Sequence, residues 1–530
     1  RRFESCPRHS LESPAAAGFS RFRPQVPRLL GMRALPLAPR CWIERPMAWA
    51  ALAVAIVVAL RLPYLDAGLA RDEGGDTMIA LAFHHAGPFA YGRYFLDRPP
   101  LLLALYGLAA ELGGDTGVRV LGLLAAATAV VLITAAAARL AGRGAAPFAA
   151  VAGAVMVSSQ VTTAIYTPAE LLAIVPSCAS VLLLIAGIQQ PARSRWLLAG
   201  AGFLAAAAIL VKQSFGDALV AGVVGLAAAT LGGEATRREA GSRALAYAGG
   251  VAAALGGLVV WAAATDASAH SVWYAILGFR LDAIAPLAHG RPEGRLIQLV
   301  NPSLHSGLAF AILAAIVGIA ILPARRATKA ALGGWLIAGV VGIVLSGSYY
   351  PPYVIELVPV AAIGAAIAFA RRPAIGAVAL CVLAIPALVP TLRGAVDDSA
   401  AAYQRPAMTI GRYVRLRAEP GQTAYVLYAR ANVLYYTGLP SPFPFNWALM
   451  MRAIPTAVDQ LRELLASHDR PTWIVDQDGP AGYGLDPRGL TRALLASHYV
   501  LAGDVCGRRI LLARGSPSDP PPQTVGRCRA

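Results

Sequence analysis

Three carboxylates stand within five positions in the segment RDEGGDTMIA: Asp72, Glu73 and Asp76. A further acid follows in LDRPP, where Asp97 neighbours a base, Arg98, and two prolines that fix the chain. A carboxylate in such a setting can take the proton of an attacking hydroxyl, and a guanidinium beside it can hold a phosphate. Two adjacent acids can also hold a divalent metal through oxygen ligands, which leaves Asp72 and Glu73 open as a metal pair. The plainer reading of an isolated Asp-Glu-Gly-Gly is a turn. His84 and His85 lie between the two acidic elements and fit interfacial packing better than ligation. Lys212 ends an apolar run and is one of only two lysines, with Lys329, in an arginine-rich chain. It either snorkels to an interface or serves a site. Glu170 opens an apolar run, where it caps a helix or lines a site. Glu356 sits within an apolar run and must face the protein interior.

The elements that position these residues are membrane spans. The chain has 530 residues, of which 57% are hydrophobic and only 14% charged, against about 25% charged in an ordinary soluble domain. Apolar runs near bilayer length occur around residues 47–63, 118–138, 146–162, 168–188, 196–211, 215–231, 244–264, 306–322, 330–346, 353–370 and 374–391. The expected fold is a polytopic α-helical membrane protein with about 11 transmembrane helices. The net charge of +17 does not point to nucleic acid, because the arginines fall in short loops such as RLAGRG, QQPARSR and ARRATK. Loops of that kind fix orientation and belong in the cytoplasm. The opposite loops, including 64–117, 265–305 and SGSYYPPY, hold most of the acids and aromatics and belong outside. Residues 1–46 read as a basic, disordered arm, and 47–63 as a retained signal anchor.

Eleven spans put residues 392–530 on the outer side, as a small extracytoplasmic α/β domain. TAYVLYA, PTWIVDQ, SHYVLAGDV and RRILLAR read as strands, and AVDQLRELLASH and RGLTRALLASH as amphipathic helices. This tail has no catalytic motif, so a role in acceptor recognition or stability is expected of it. Cys178 and Cys381 read as packing residues. Cys506 and Cys528 can pair in an oxidising compartment.

An acidic pair after the first span, followed about twenty-five residues on by an acid–base–Pro-Pro element, resembles the GT-C superfamily of membrane glycosyltransferases. The relevant branch contains the protein O-mannosyltransferases and the aminoarabinose transferases acting on lipid A. YTPAELLAIVPS, with Glu170, resembles the second outer loop of that pattern. GFLAAAAILVKQSFG resembles the segment ending in Lys212, and SGSYYPPYVIELVPVAAIGAAIA, with Tyr349 and Tyr350, resembles the late aromatic-proline segment. The resemblance covers residues 47 to about 391. Gly75 and Asp76 depart from it, standing where aminoarabinose transferases carry a basic and an aromatic residue. The base of the Pro-Pro element is also Arg98 and not the commoner lysine.

The resemblance implies a sugar donor on polyprenyl phosphate, an inverting transfer, and a glycan, lipid or protein acceptor at the outer face of the plasma membrane. In that reading Asp72 is the base, Glu73 orients it or holds a metal, and Asp97 completes the site. Arg98 and Lys212 bind the donor phosphate, while Glu170, Tyr349 and Tyr350 line the substrate. Arg280, Arg291 and Arg295, in the loop 265–305, are spare phosphate partners. The alternatives are a transporter or flippase for a lipid-linked or polar solute, and a scaffold whose tail binds a partner. Against transport, the chain shows no internal repeat, and its charges gather at one face and not at mid-membrane.

Overall fold

The computed structural model describes residues 46–83, 87–190, 193–288, 292–397, 399–517, 523–525 and 528. The basic arm expected over 1–46 lies outside the described residues save for Pro46, as do His84, His85 and Arg291. The side chain of Arg295 is likewise outside them.

Apolar helices dominate the first three quarters of the chain. They are α1 (Pro46–Arg61), α2 (Arg71–Leu81), α3 (Pro100–Ala141), α4 (Ala146–Met156), α5 (Ala169–Gln189), α6 (Ser194–Val211), α7 (Asp217–Leu231) and α8 (Arg237–Ala264). After several short helices come α9 (Leu308–Ile321), α10 (Arg326–Leu345), α11 (Val358–Ala370) and α12 (Pro373–Val396). Eight helices among the described residues are long and apolar enough to cross a membrane, or nine if the pair bent by 77° at Leu296–His305 and Leu308–Ile321 is one span. Two further apolar helices, Arg143–Met156 and Asp217–Leu231, are shorter. The chain is thus a polytopic helical membrane protein. Its helices pack in neighbouring pairs, α5 on α6, α6 on α8, α7 on α10 and α9 on α11. Small residues permit close approach: a Cβ at Gly318 would stand 1.9 Å from the carbonyl oxygen of Gly364, and one at Gly250 1.9 Å from that of Ala199.

Two local features depart from simple spans. Helix α3 breaks at Gly113 and Gly114, where Gly114 has a φ of 58°, a left-handed conformation that glycine adopts at little cost. The 64–117 stretch therefore contributes both α2 and the first part of α3. Asp-Glu-Gly-Gly is not a turn: it is the first turn of α2. Asp72 and Glu73 favour that position because they face the helix's positive end, and Glu73 accepts from the Ala70 backbone N–H at 2.7 Å.

Beyond α12 the chain forms α13 (Ser399–Arg415), α14 (Ala431–Thr437), α15 (Ala448–Ala453), α16 (Ala457–Ala466) and α17 (Leu490–His498) around a five-stranded sheet. The strands are β1 (Ala424–Val426), β2 (Trp473–Asp476), β3 (Tyr499–Val505), β4 (Arg508–Ala513) and β5 (Gln523–Val525), in the order β1-β2-β4-β3-β5. β1 runs parallel to β2, β2 and β3 run antiparallel to β4, and β5 runs parallel to β3. β1 and β2 are wholly buried, which explains their largely apolar sequence. Cys506 and Cys528 are joined by a disulfide, and Cys178 and Cys381 are free.

Candidate functional site

The C-terminal end of α1, the N-terminal end of α5, the C-terminal end of α6 and the start of the 351–370 helical segment all meet at one end of the bundle. Glu170, at the head of α5, forms an ion pair with Lys212, which follows α6. The Lys212 ammonium also lies 4.0 Å from the ring centre of Tyr353. Next to Lys212, the Gln213 side chain donates to the Asp97 carbonyl at 2.8 Å, tying this group to the LDRPP element.

Asp97 holds two arginines. One carboxylate oxygen meets Arg98 Nη1 at 3.0 Å and the other meets Arg280 Nη2 at 2.7 Å. Arg98 in turn reaches Asp72, with its Nη2 3.9 Å from Oδ2. Asp72 is the one carboxylate of this group left open to solvent, with 58% of its side chain exposed, against 8% for Asp97. Burial alone would pull the Arg98 pKa down. The charges of Asp97, Asp76 and Asp72 outweigh burial and hold it above its ordinary value, so Arg98 stays cationic. Asp76, one turn along α2 from Asp72, is buried with Oδ1 lacking a hydrogen-bond partner. Burial, together with the charges of Asp72, Asp97 and Glu73, pushes its pKa well above the usual carboxylate range, against the pull of Arg98.

Glu73 stands apart from its neighbour. Only 3% of its side chain is exposed. Arg119 donates to Oε1 at 2.9 Å and to Oε2 at 2.8 Å, the Thr167 N–H donates to Oε1 at 2.5 Å, and the Ala70 N–H to Oε2. Arg119 also ties down the carbonyls of Ala67 and Gly68 and lies over the Tyr166 ring. The expectation that Glu73 orients Asp72 or shares a metal with it is therefore corrected: the carboxylate is turned inward to join α2, α3 and the segment before α5. The metal alternative loses one of its two acids, and no group of three or more acids, histidines or cysteines suited to a metal occurs among the described residues.

Other candidates also move. Tyr349 donates its hydroxyl to the Val344 carbonyl at 3.0 Å, and Tyr350 meets Tyr353 edge-on at 6.0 Å. Tyr353, four positions beyond Tyr349, is the tyrosine that touches Lys212. Glu356 is buried with Oε1 unpartnered, near Asp217, Lys212 and Glu170. Arg280 is the spare arginine that joins the cluster.

The C-terminal part reaches the site as well, which its lack of a motif does not foretell. The Trp447 indole N–H donates to Asp72 Oδ1 at 3.1 Å. Asn432 donates to the Leu69 carbonyl, and Tyr435 and Tyr436 both donate to Asp115 at 2.8 Å. This contact accounts for the paired glycines: a Cβ at Gly74 would lie 2.7 Å from Asn432 Cβ, and one at Gly75 2.4 Å from the Trp447 ring. Between α2, α3 and α8 lies a largely apolar cavity of about 300 Å³, lined by Ala80, Phe83, Tyr91, Leu103, Gly107 and Trp261.

Comparison with known proteins finds a matching family model for one segment and solved structures that share the fold. Residues 97–262 match the family model of dolichyl-phosphate-mannose-protein mannosyltransferases. ArnT from Cupriavidus metallidurans, solved in the apo state, shares the fold with a TM-score of 0.63 at 17% identity, over 88% of this chain and 98% of that one. ArnT bound to undecaprenyl phosphate superposes with the same score and identity, over 90% and 99%. The archaeal oligosaccharyltransferase AglB from Archaeoglobus fulgidus, in complex with an inhibitory peptide and a dolichol-phosphate, matches with a TM-score of 0.53 at 13% identity, over 90% and 75%. No curated protein sequence matches the chain. The chain is thus similar to that mannosyltransferase family over residues 97–262, and it shares the fold of ArnT and AglB over most of its length.

Proposed function

We propose that this protein moves a sugar from a polyprenyl-phosphate donor to a glycan, lipid or protein acceptor at the outer face of the plasma membrane, with inversion. The observation that carries this reading is the Asp97–Arg98–Arg280 cluster set against the exposed carboxylate beside it, Asp72. The bound polyprenyl phosphates of ArnT and AglB support the donor class.

The acceptor hydroxyl attacks the anomeric carbon, its proton passes to Asp72, and the bond between that carbon and the phosphate oxygen breaks. Polyprenyl phosphate leaves, and the charge growing on it falls beside Arg98 and Arg280. Asp97 holds both guanidiniums in place. Lys212, paired with Glu170 and lying against Tyr353, adds a third cation at the same end of the bundle. The cavity between α2, α3 and α8 has the apolar lining a prenyl chain needs. The finer topology in this reading is eleven spans over 47–391, a catalytic outer loop at 64–117, and an extracytoplasmic domain over 392–530. The disulfide between Cys506 and Cys528 supports the outer placement of that domain, since disulfides persist in oxidising compartments.

Lipid-linked sugars extracted from cells with and without the protein test the reading and name the sugar. A single polyprenyl-phosphate sugar accumulates in its absence. An unchanged lipid-sugar pool in cells that require the protein for a surface glycan would sink the proposal.

A further inference from the structure

We propose that Trp447, carried by the C-terminal part of the chain, is a positioning residue for Asp72. The inference rests on the reading of Asp72 as the proton-accepting carboxylate. An exposed aspartate on the first turn of a helix has several side-chain orientations to choose among, and two contacts select one. The Trp447 indole, which can only donate, occupies Oδ1 at 3.1 Å, while Arg98 lies 3.9 Å from Oδ2. Oδ2 is thereby the oxygen left to face both the acceptor proton and the cation that meets the phosphate.

The indole is itself held independently of that hydrogen bond. Its ring lies so close over Gly75 that a Cβ there would come within 2.4 Å of it. The segment leading to it is stitched to the loop that carries Asp97 and Arg98. The Ser441 N–H donates to the Tyr94 hydroxyl at 2.9 Å, and the Phe95 N–H donates to the Pro444 carbonyl at 3.2 Å. Phe445 meets Phe89 and Phe95 edge-on at 5.9 and 6.1 Å. One stretch, 441–447, thus braces both acidic elements, and Trp447 transmits that bracing to the Asp72 carboxylate. Chemistry assigned to the membrane bundle then depends on a donor from outside it.

Two replacements separate the N–H from the ring. Trp447→Phe keeps an aromatic ring over Gly75, and β-(benzothienyl)alanine placed at position 447 keeps the whole indole outline with sulfur in place of N–H. Turnover is measured with a synthetic polyprenyl-phosphate sugar and purified full-length protein. Loss of one hydrogen bond to a charged group lowers kcat about tenfold, while the donor KM stays within about twofold and the melting temperature is unchanged. The isostere decides the matter if the Phe variant fails to fold. A kcat for the isostere within about twofold of the parent, or a raised KM with kcat intact, overturns the proposal. Asp72→Asn is assayed in parallel. If that variant turns over normally, the reading of Asp72 as the base has failed; if it is inactive while the isostere is normal, only the role of Trp447 has failed.

Discussion

Asp72 and Glu73 are adjacent in sequence, yet the structure assigns them opposite consequences on neutralisation. Glu73→Gln replaces two acceptor oxygens by one in a site where four N–H groups converge: two from Arg119 and one each from Ala70 and Thr167. The amide NH2 must point at one of the two donor pairs, so either pair loses its acceptor. The Arg119 charge, on a side chain only 2% exposed, loses its counterion as well. Breaking a buried pair from one side costs about 3–5 kcal/mol, a large part of a net stability of about 5–15 kcal/mol. Glu73→Gln therefore lowers the apparent melting temperature in detergent. The folded fraction, assayed well below that temperature, keeps turnover within about tenfold of the parent. Asp72→Asn does the reverse: its side chain is 58% exposed and bears a weak 3.9 Å ion pair, so it melts like the parent, while loss of a general base lowers turnover about a hundred- to ten-thousand-fold. A Glu73→Gln protein that melts with the parent and is inactive would refute the assignment and return Glu73 to the chemistry.

Three further outcomes are expected. Gly75→Leu drives a side chain into the Trp447 ring, so it should expose the tail to limited proteolysis and lower turnover together; a fully active, protease-resistant variant would contradict the docking. Burial raises the pKa of Asp76 in the folded protein, so the folded state binds that proton more tightly than the unfolded state, where an aspartate titrates near ~3.9. The contribution of Asp76 is then most favourable in acid and is lost as pH rises from about 4 toward the folded pKa. Asp76→Asn should accordingly melt higher than the parent at neutral pH, with the gap closing toward about pH 4, and a constant gap would contradict the shift. A cysteine at Pro480 should react with an impermeant thiol reagent on cells whose outer face is accessible and one at Ala327 should not, whereas the reverse labelling would put the tail inside.

The apolar runs were legible because a bilayer demands them: each coincides with a helix, although two of these helices and the bent pair fall short of a plain span. The ordering of Asp72, Asp97, Arg98, Glu170 and Lys212 along alternating ends of those runs likewise placed them at one end of the bundle. What stayed hidden is non-local. Arg119 lies 46 residues from Glu73, and the one clue was an arginine inside the apolar run GVRVLG, a costly position that calls for a partner. Trp447 lies 375 residues from Asp72 in a segment without a motif, so nothing nearby in sequence announces their contact. Gly74 and Gly75 read as a turn because the residues that need their missing side chains, Asn432 and Trp447, belong to the far end of the chain. The choice among Tyr349, Tyr350 and Tyr353 rests on backbone direction, and Tyr349 sits at a φ of 52° that sequence does not reveal.

The proposed transfer from lipid phosphate is governed by Asp72. Its most direct test incubates the purified protein with a synthetic polyprenyl-phosphate sugar and an extract of envelope acceptors, and counts released polyprenyl phosphate against sugar transferred. The parent protein should release one polyprenyl phosphate for each sugar transferred, and Asp72→Asn should bind the donor as tightly yet release it at least about a hundredfold more slowly. Release by Asp72→Asn at the parent's rate, or sugar transfer without polyprenyl phosphate release, would contradict the account.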